Sequence, residues 1–279
     1  MARKQYQLVG DHSTVIQAEG DVSIATPYTE LRAIVEDLFK LNFPKVQEMA
    51  MSTAQASIDA FLGELKKAFG LHKDKIDPAK FADPGIQFEM QAMCIDAARR
   101  GERSHFDLLS ELLCTILEKK CPELIELISV EARKAIPMLA KRHLCCLSLH
   151  VLATEARIDG DISSINEYLE TLLEHIEEAE KITPSDLHYI ACTGTIIQRP
   201  VILLGMIPQM FAQFSVFNGK SDEQSLEICK KEGFTAIQSL IEMTRKCKVG
   251  NFQLSATGKL IGWLSISRFS PVDIEGLFL

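Results

Sequence analysis

Histidine and cysteine are closely spaced in one apolar stretch, where His143, Cys146 and His150 stand three and four residues apart. Positions at these intervals lie on one face of an α-helix. His188 and Cys192, four residues apart, repeat the spacing further along the chain. Nitrogen and sulfur ligands of this kind bind zinc, and four of them complete a tetrahedral site. These five residues are therefore the metal-ligand candidates.

The same residues have a simpler interpretation, because cysteines and hydrogen-bonded histidines are common in buried helices. Their spacing matches no common zinc signature, and none of the eight cysteines forms a CxxC pair. We therefore favour core residues and predict no metal and no cofactor. The chain also lacks a GxSxG elbow, a GxxxxGK[ST] phosphate loop and an HExxH motif, so it predicts no catalytic residue.

Acidic residues dominate the segment from Glu155 to Glu180, which carries nine of them against Arg157 alone. A charge run of this kind is usually the solvated face of a helix. The segment therefore predicts an acidic helix over 155–180, and its face suits a basic partner protein better than an active site.

Basic residues gather in two groups, which could bind an anion such as a nucleotide phosphate or a lipid head group. The groups are Arg99, Arg100, Arg103 and His105, and then Arg133, Lys134, Lys141, Arg142 and His143. Basic and acidic surfaces on one chain also suit head-to-tail self-association, which we favour over a ligand. The net charge of −8 argues against nonspecific nucleic-acid binding.

The stretch from Pro200 to Phe217 contains no charged residue and is about as long as a short membrane span. Pro208, Gln209 and Gln213 interrupt its apolar sequence. It therefore predicts a buried hairpin, with membrane or lipid contact as the less favoured alternative.

The apolar spacing after Thr26 follows the three- and four-residue repeat of α-helices. Pro44 is expected to end a first helix and Gly70 a second, and the segment from Ser221 to Lys246 is expected to be helical. Further N-caps are expected at Asp83-Pro84, at Ser163 or Ser164, and at Thr183-Pro184. The pattern predicts a mainly α fold, a compact multi-helix domain over residues 26–279 without strands.

The first 25 residues follow a different pattern, because two Gly-Asp pairs, which favour turns, separate short β-type segments. They predict a β-hairpin or three-strand leader over residues 1–25. A sheet this small is not stable alone, so we expect it to pair with copies of itself and make the chain a homo-oligomer. The residues assigned to this assembly are Gly10, Asp11, Ser13, Ile16, Gln17, Gly20, Asp21, Val22 and Ile24.

The leader resembles the Gly-Asp-x-Ser-x-x-Ile-Gln-Ala-Gly-Gly-Asp motif of a family of uncharacterised bacterial proteins. The matching residues are Gly10, Asp11, Ser13, Ile16, Gln17, Ala18, Gly20 and Asp21, and Glu19 replaces the first glycine of the pair. Further segments that resemble this family are Tyr28–Arg32, Phe81–Leu113, Thr193-Gly194 and Leu254–Gly258. The resemblance implies an all-helical domain and no established activity. Similar leaders occur on bacterial immunity and conflict proteins, which implies a role in phage defence.

The function expected from these observations is that of a non-enzymatic, oligomeric scaffold or sensor that assembles through its N-terminal strands. One alternative is a membrane- or lipid-responsive effector that uses the apolar 200–217 stretch. Another is an enzyme with a metal on the face formed by His143, Cys146 and His150. Met1–Tyr6 shows no apolar segment typical of a secretory signal, so the expected location is cytoplasmic.

Overall fold

The structure is a computed structural model that describes residues 28–156, 160–198, 211 and 214–267. This part of the chain is mainly α, which confirms the predicted fold class. The leader and every residue assigned to it lie outside the described residues. The chain divides into two compact units, Met1–Met51 and Ser52–Leu279.

Ten α-helices and two strands are found in the described ranges. The helices are α1 (Tyr28–His72), α2 (Pro84–Arg100), α3 (Phe106–Ile116), α4 (Glu123–Ala135), α5 (Lys141–Thr154), α6 (Ile162–Ile176), α7 (Pro184–Cys192), α8 (Asp222–Glu232), α9 (Thr235–Lys246) and α10 (Ala256–Ile266). The strands are β1 (Ile196–Gln198) and β2 (Phe252–Leu254).

Helix α1 runs through both residues that were expected to end a helix, so these two predictions are wrong. Pro44 lacks a backbone donor, but its fixed φ of about −65° is that of a helix. Gly70 lies inside the last turns, and α1 ends at His72. His72 Nε2 lies 2.8 Å from Glu111 Oε2 of α3 in a hydrogen bond. This contact holds the end of α1. It joins residues 39 positions apart, so the local sequence does not reveal it.

The helix starts follow local chemistry more closely. The Asp83 carboxylate accepts the N–H groups of Gly85 and Ile86, and Thr183 forms a capping box at α7, so both predicted N-caps are confirmed. The cap of α6 is Asp161 and not Ser163 or Ser164, because the Asp161 carboxylate accepts both of their N–H groups.

The segment from Ser221 to Lys246 is helical as predicted, and it is divided into two helices, α8 and α9. Gly233 lies between α8 and α9 with a φ of +79°. This left-handed conformation is readily adopted only by glycine. The apolar spacing continues on both sides of Gly233, so the pattern alone does not show the break.

The prediction of no strand after residue 26 is also wrong, because β1 and β2 pair antiparallel with Ile196 opposite Leu254. Each strand has three residues, which is too short for an alternating pattern to be recognised. Ser255, the N-cap of α10, donates its hydroxyl to Gly194 O at 2.7 Å. The Thr193-Gly194 and Leu254–Gly258 segments, far apart in sequence, therefore form one unit.

Helices α5 and α10 pack closely against each other in the core. Every residue from His143 to Ala153 is buried. Gly262 of α10 lies against the backbone of Leu147 in α5, and the Ser148 hydroxyl donates to Gly262 O at 3.1 Å. The absence of a side chain at Gly262 is what lets these two helices approach so closely.

A buried ion-pair network joins α4 to α2. Arg133 Nε donates to Glu89 at 2.6 Å, and its Nη1 donates to Asp96 at 2.9 Å. The three side chains are largely buried, so each charge depends on its partner for the solvation that water would supply.

Candidate functional site

The segment between α4 and α5 is held by side chains that donate to three consecutive carbonyl groups. Arg100 Nη1 donates to Pro137 O at 2.8 Å, Tyr189 Oη donates to Met138 O at 2.7 Å, and His105 Nε2 bonds Leu139 O at 2.6 Å. The donors come from the end of α2, the start of α3 and α7. The segment 137–139 is thereby fixed at three points beside the N-terminus of α5, and we call this segment the wall.

Asp186, the third residue of α7, is the carboxylate at the centre of this region. Its Oδ1 accepts from Nε and Nη2 of Arg142, at 3.0 and 2.8 Å, and from Nε2 of His143 at 2.9 Å. Its Oδ2 accepts from the N–H and the hydroxyl of Thr183, at 2.9 and 2.7 Å. The bond from Arg142, followed by those from His143 and Thr183, holds the pKa of Asp186 well below its usual range against the opposing effect of burial.

The hydrogen bonds of His143 determine which ring nitrogen carries the proton. Nδ1 accepts from the N–H of Ala140 at 3.1 Å, so the proton is on Nε2, which donates it to Asp186. Both nitrogens of this buried ring are therefore occupied. His143 has no free lone pair with which to accept a proton from a substrate.

Beside this wall lies an open cleft of about 580 Å³, which we call the basic cleft. Its lining residues are Arg100, Arg103, His105, Pro137, Met138, Leu139, Ala140, Lys141, Arg142, His143, Asp186 and Tyr189. Four basic side chains face one carboxylate, which leaves three net positive charges with the histidines neutral. The whole chain carries a net charge of −8, so the cleft is a local site of attraction for anions.

Two of its cations have no partner within the described ranges, because neither Arg103 nor Lys141 forms an ion pair or a side-chain hydrogen bond there. Both side chains are exposed. The N-terminus of the 14-residue helix α5 lies at the same place, since Lys141 is its first residue. A helix N-terminus attracts negative charge through its free N–H groups and its dipole.

The structure brings the predicted basic groups together only in part. Arg100, Arg103 and His105 of the first group meet Lys141, Arg142 and His143 of the second in the basic cleft. Arg99, Arg133 and Lys134 do not line it. Arg133 belongs to the buried network with Glu89 and Asp96, and Lys134 pairs with Glu131 at 2.7 Å.

Sequence reasoning missed Asp186, Tyr189 and Met138 as cleft residues. The Thr183-Pro184 cap signal locates Asp186 on the first turn of a helix. Nothing local relates α7 to α5, because the contact between Asp186 and His143 spans 43 positions.

The five metal-ligand candidates are not gathered into one site. His143 bonds Asp186, and His150 bonds Phe252 O through Nε2 and the Thr154 hydroxyl through Nδ1. Cys146 is fully buried, which raises the pKa of its thiol. His188 and Cys192 are exposed on α7. Within the described residues, no group of three or more His, Cys, Asp or Glu is arranged to hold a metal ion.

The acidic 155–180 segment forms α6 followed by a short 3-10 helix, Glu177–Lys181. Part of its charge is neutralised within the chain, since Glu180 pairs with Lys246 at 2.5 Å. Glu167, Glu174 and Glu177 remain exposed. The partner protein expected at this face stays a prediction.

Most of the apolar 200–217 stretch lies outside the described residues. At its end Phe211 and Phe217 are fully buried, with ring centroids 5.7 Å apart. In the part of the chain that is described, no helix is both long enough and apolar enough to cross a membrane.

Residues 26–222 match a protein family of unknown function. The chain belongs to this family. The match covers more than half of the chain and includes every residue that lines the basic cleft. No curated protein and no solved structure matches the chain significantly.

Proposed function

We propose that this family member is a non-enzymatic, oligomeric sensor or scaffold whose helical domain binds an anionic ligand in the basic cleft. The observation that carries the proposal is a pair of cations at the N-terminus of α5, Arg103 and Lys141, that have no partner among the described residues. Charged groups without a partner lose little when they bind an anion, because no existing ion pair has to be broken.

The hydrogen bonds of the cleft support binding over catalysis. No Ser, Thr or Cys is among the lining residues, and the one hydroxyl among them, that of Tyr189, already donates to Met138 O at 2.7 Å. The pairing of His143 with Asp186 resembles part of a catalytic triad, but Nδ1 of His143 is occupied by the Ala140 N–H. This ring orients Asp186 and cannot also serve as a general base.

Charge reversal tests the cleft directly. We expect Arg103→Glu and Lys141→Glu each to weaken binding of inorganic pyrophosphate at least about tenfold, because each removes a charge-assisted contact and adds a repulsion. Isothermal titration calorimetry on the full chain at two salt concentrations measures the effect. Binding to the wild type is expected to weaken as ionic strength rises.

Arg99→Glu is the matched control, because Arg99 is exposed, precedes Arg100 and does not line the cleft. It makes the same change in net charge and should alter the dissociation constant less than about twofold. Equal losses in all three variants would mean that only the overall charge matters. Absence of binding of any phosphate compound to the wild type would overturn the proposed ligand site.

We assign assembly to the leader. The assignment is supported by the β pattern of residues 1–25, because a sheet this small is not stable unless it pairs with other strands. We expect the full chain to form oligomers and a chain that begins at Thr26 to stay folded as a smaller species. Light scattering coupled to size exclusion measures both masses. The assignment would be contradicted if the full chain and the shortened chain were both monomers, or if both formed oligomers with the same number of subunits.

A role in bacterial phage defence, in the cytoplasm, completes the proposal and rests on the resemblance of the leader. The same variants test it. We expect cells that express the wild type to lower phage plating efficiency, and cells that express Arg103→Glu to lose this protection while Arg99→Glu keeps it. Equal plating on wild-type and empty-vector cells would argue against defence while leaving anion binding open to the calorimetric test.

A further inference from the structure

The basic cleft has an apolar surface as well as a cationic one. Tyr189 and Met138 line it, and they are 43% and 41% exposed. Both residues therefore offer accessible surface to a ligand. An exposed ring, an exposed thioether and two cations without a partner in the described part of the chain make this cleft more specific than a charge patch.

The Tyr189 ring is held at both ends. Its hydroxyl donates to Met138 O at 2.7 Å, and its ring packs on the His143 ring with centroids 5.4 Å apart and planes at 38°. His143 is itself fixed by Asp186 and Ala140. A ring held in this way loses little conformational entropy when a flat ligand stacks on its exposed area.

We infer that the cleft accepts a phosphate group attached to a flat heterocycle, which is the chemistry of a nucleotide. The phosphate binds Arg103 and Lys141 at the start of α5, and the heterocycle lies on Tyr189 and Met138. A volume of about 580 Å³ is within the usual range for sites of small molecules. This inference rests on the proposed function and adds the class of ligand.

The hydrogen bonds of the wall indicate that the cleft does not distinguish one nucleotide base from another. The carbonyls of residues 137–139 already accept from Arg100, Tyr189 and His105, and Asp186 already accepts five hydrogen bonds. Each of these acceptors already holds a hydrogen bond within the chain, so it contributes little to discrimination between bases. Stacking is tolerant of base identity because every base has a π-face. AMP, GMP, CMP and UMP should therefore bind alike to within about tenfold.

Calorimetry with a graded ligand series tests the inference on the full chain. Inorganic phosphate, ribose 5-phosphate and AMP add one chemical part at a time. We expect AMP to bind at least about fivefold more tightly than ribose 5-phosphate, since stacking of one base on an aromatic side chain is worth this much or more. Tyr189→Leu and Tyr189→Phe both lose the hydrogen bond to Met138 O, but only Tyr189→Leu loses the ring. The affinity ratio of AMP to ribose 5-phosphate should therefore fall to about one in Tyr189→Leu and stay above one in Tyr189→Phe.

Met138→Ala provides a second variant in case Tyr189→Leu does not fold, because it removes the other apolar side chain and keeps the carbonyl that Tyr189 binds. It should weaken AMP but not ribose 5-phosphate. Equal affinities of AMP and ribose 5-phosphate would overturn the inference and leave the anion site of the proposed function intact. Binding only to phosphatidylcholine vesicles that contain phosphatidic acid would also overturn it, since the phosphate would then come from a lipid head group. Failure of every phosphate compound would overturn both.

Discussion

Gly258→Ala is expected to lower the free energy of unfolding by about 3 kcal/mol or more. A Cβ atom at Gly258 would lie 1.9 Å from Thr195 O, a backbone atom that also accepts the Ser255 N–H at 3.0 Å. A backbone carbonyl with a hydrogen bond cannot turn aside as a flexible side chain does. The start of α10 would have to separate from Thr195, the residue before β1. Chemical denaturation measures the loss, and the melting temperature should fall by about 6–12 °C.

Gly262→Ala should behave similarly, because its Cβ would lie 2.7 Å from Leu147 O where α10 crosses α5. Gly63→Ala is the matched control. Gly63 lies in α1, has no neighbouring heavy atom within 4 Å and is exposed. Since alanine is the better helix former, this variant should gain up to about 1 kcal/mol. A melting temperature unchanged by Gly258→Ala would contradict the close approach of α10 to the backbone of Thr195.

Asp186→Asn is expected to lower the free energy of unfolding by about 2–3 kcal/mol at pH 7, because hydrogen bonds to a buried charged group are the strong ones. The variant removes the negative charge that orients Arg142 and His143. It also weakens the cap of α7, in which the Thr183 hydroxyl donates to Asp186. Urea denaturation of both proteins from pH 7 to pH 3 measures the difference.

The pH dependence of this difference has a definite sign. The pKa of Asp186 is lower in the folded state than the ordinary aspartate value of about 3.9. Its carboxylate therefore stabilises the fold fully above that value, and the contribution is lost as the pH falls toward the folded-state pKa. The gap between wild type and Asp186→Asn should be widest near neutrality and narrow below about pH 4.

Asp161→Asn is the control for the second prediction. The pKa of Asp161 is also lowered, mainly by the hydrogen bond from the Ser164 N–H, but the group is exposed. Asparagine caps helices as well as aspartate, so this variant should unfold close to the wild type. A gap for Asp186→Asn that stays constant down to pH 3 would show that its charge does not stabilise the fold.

Local patterns in the sequence determined the helical class and several helix starts. A cap such as Thr183 depends on the N–H groups two and three residues ahead, so it is readable without knowledge of the fold. The same patterns failed at Pro44 and Gly70, where a favourable continuation of α1 outweighed the local signal to stop. They also failed at β1 and β2, whose pairing joins residues far apart in sequence, such as Ile197 and Gln253, which are 56 positions apart.

For the basic cleft, too, the sequence predicted one part and only the tertiary structure decided the other. Its cations were recognisable as two clusters, and an anion was one chemistry that they predicted. The tertiary structure decided which cations stay free: Arg133 is neutralised by Glu89 and Asp96, whereas Arg103 and Lys141 are left without a partner in the described ranges. The sequence states the sign of each charge. Whether a charge is neutralised depends on which side chain lies within about 4 Å of it, and only long-range packing sets that distance.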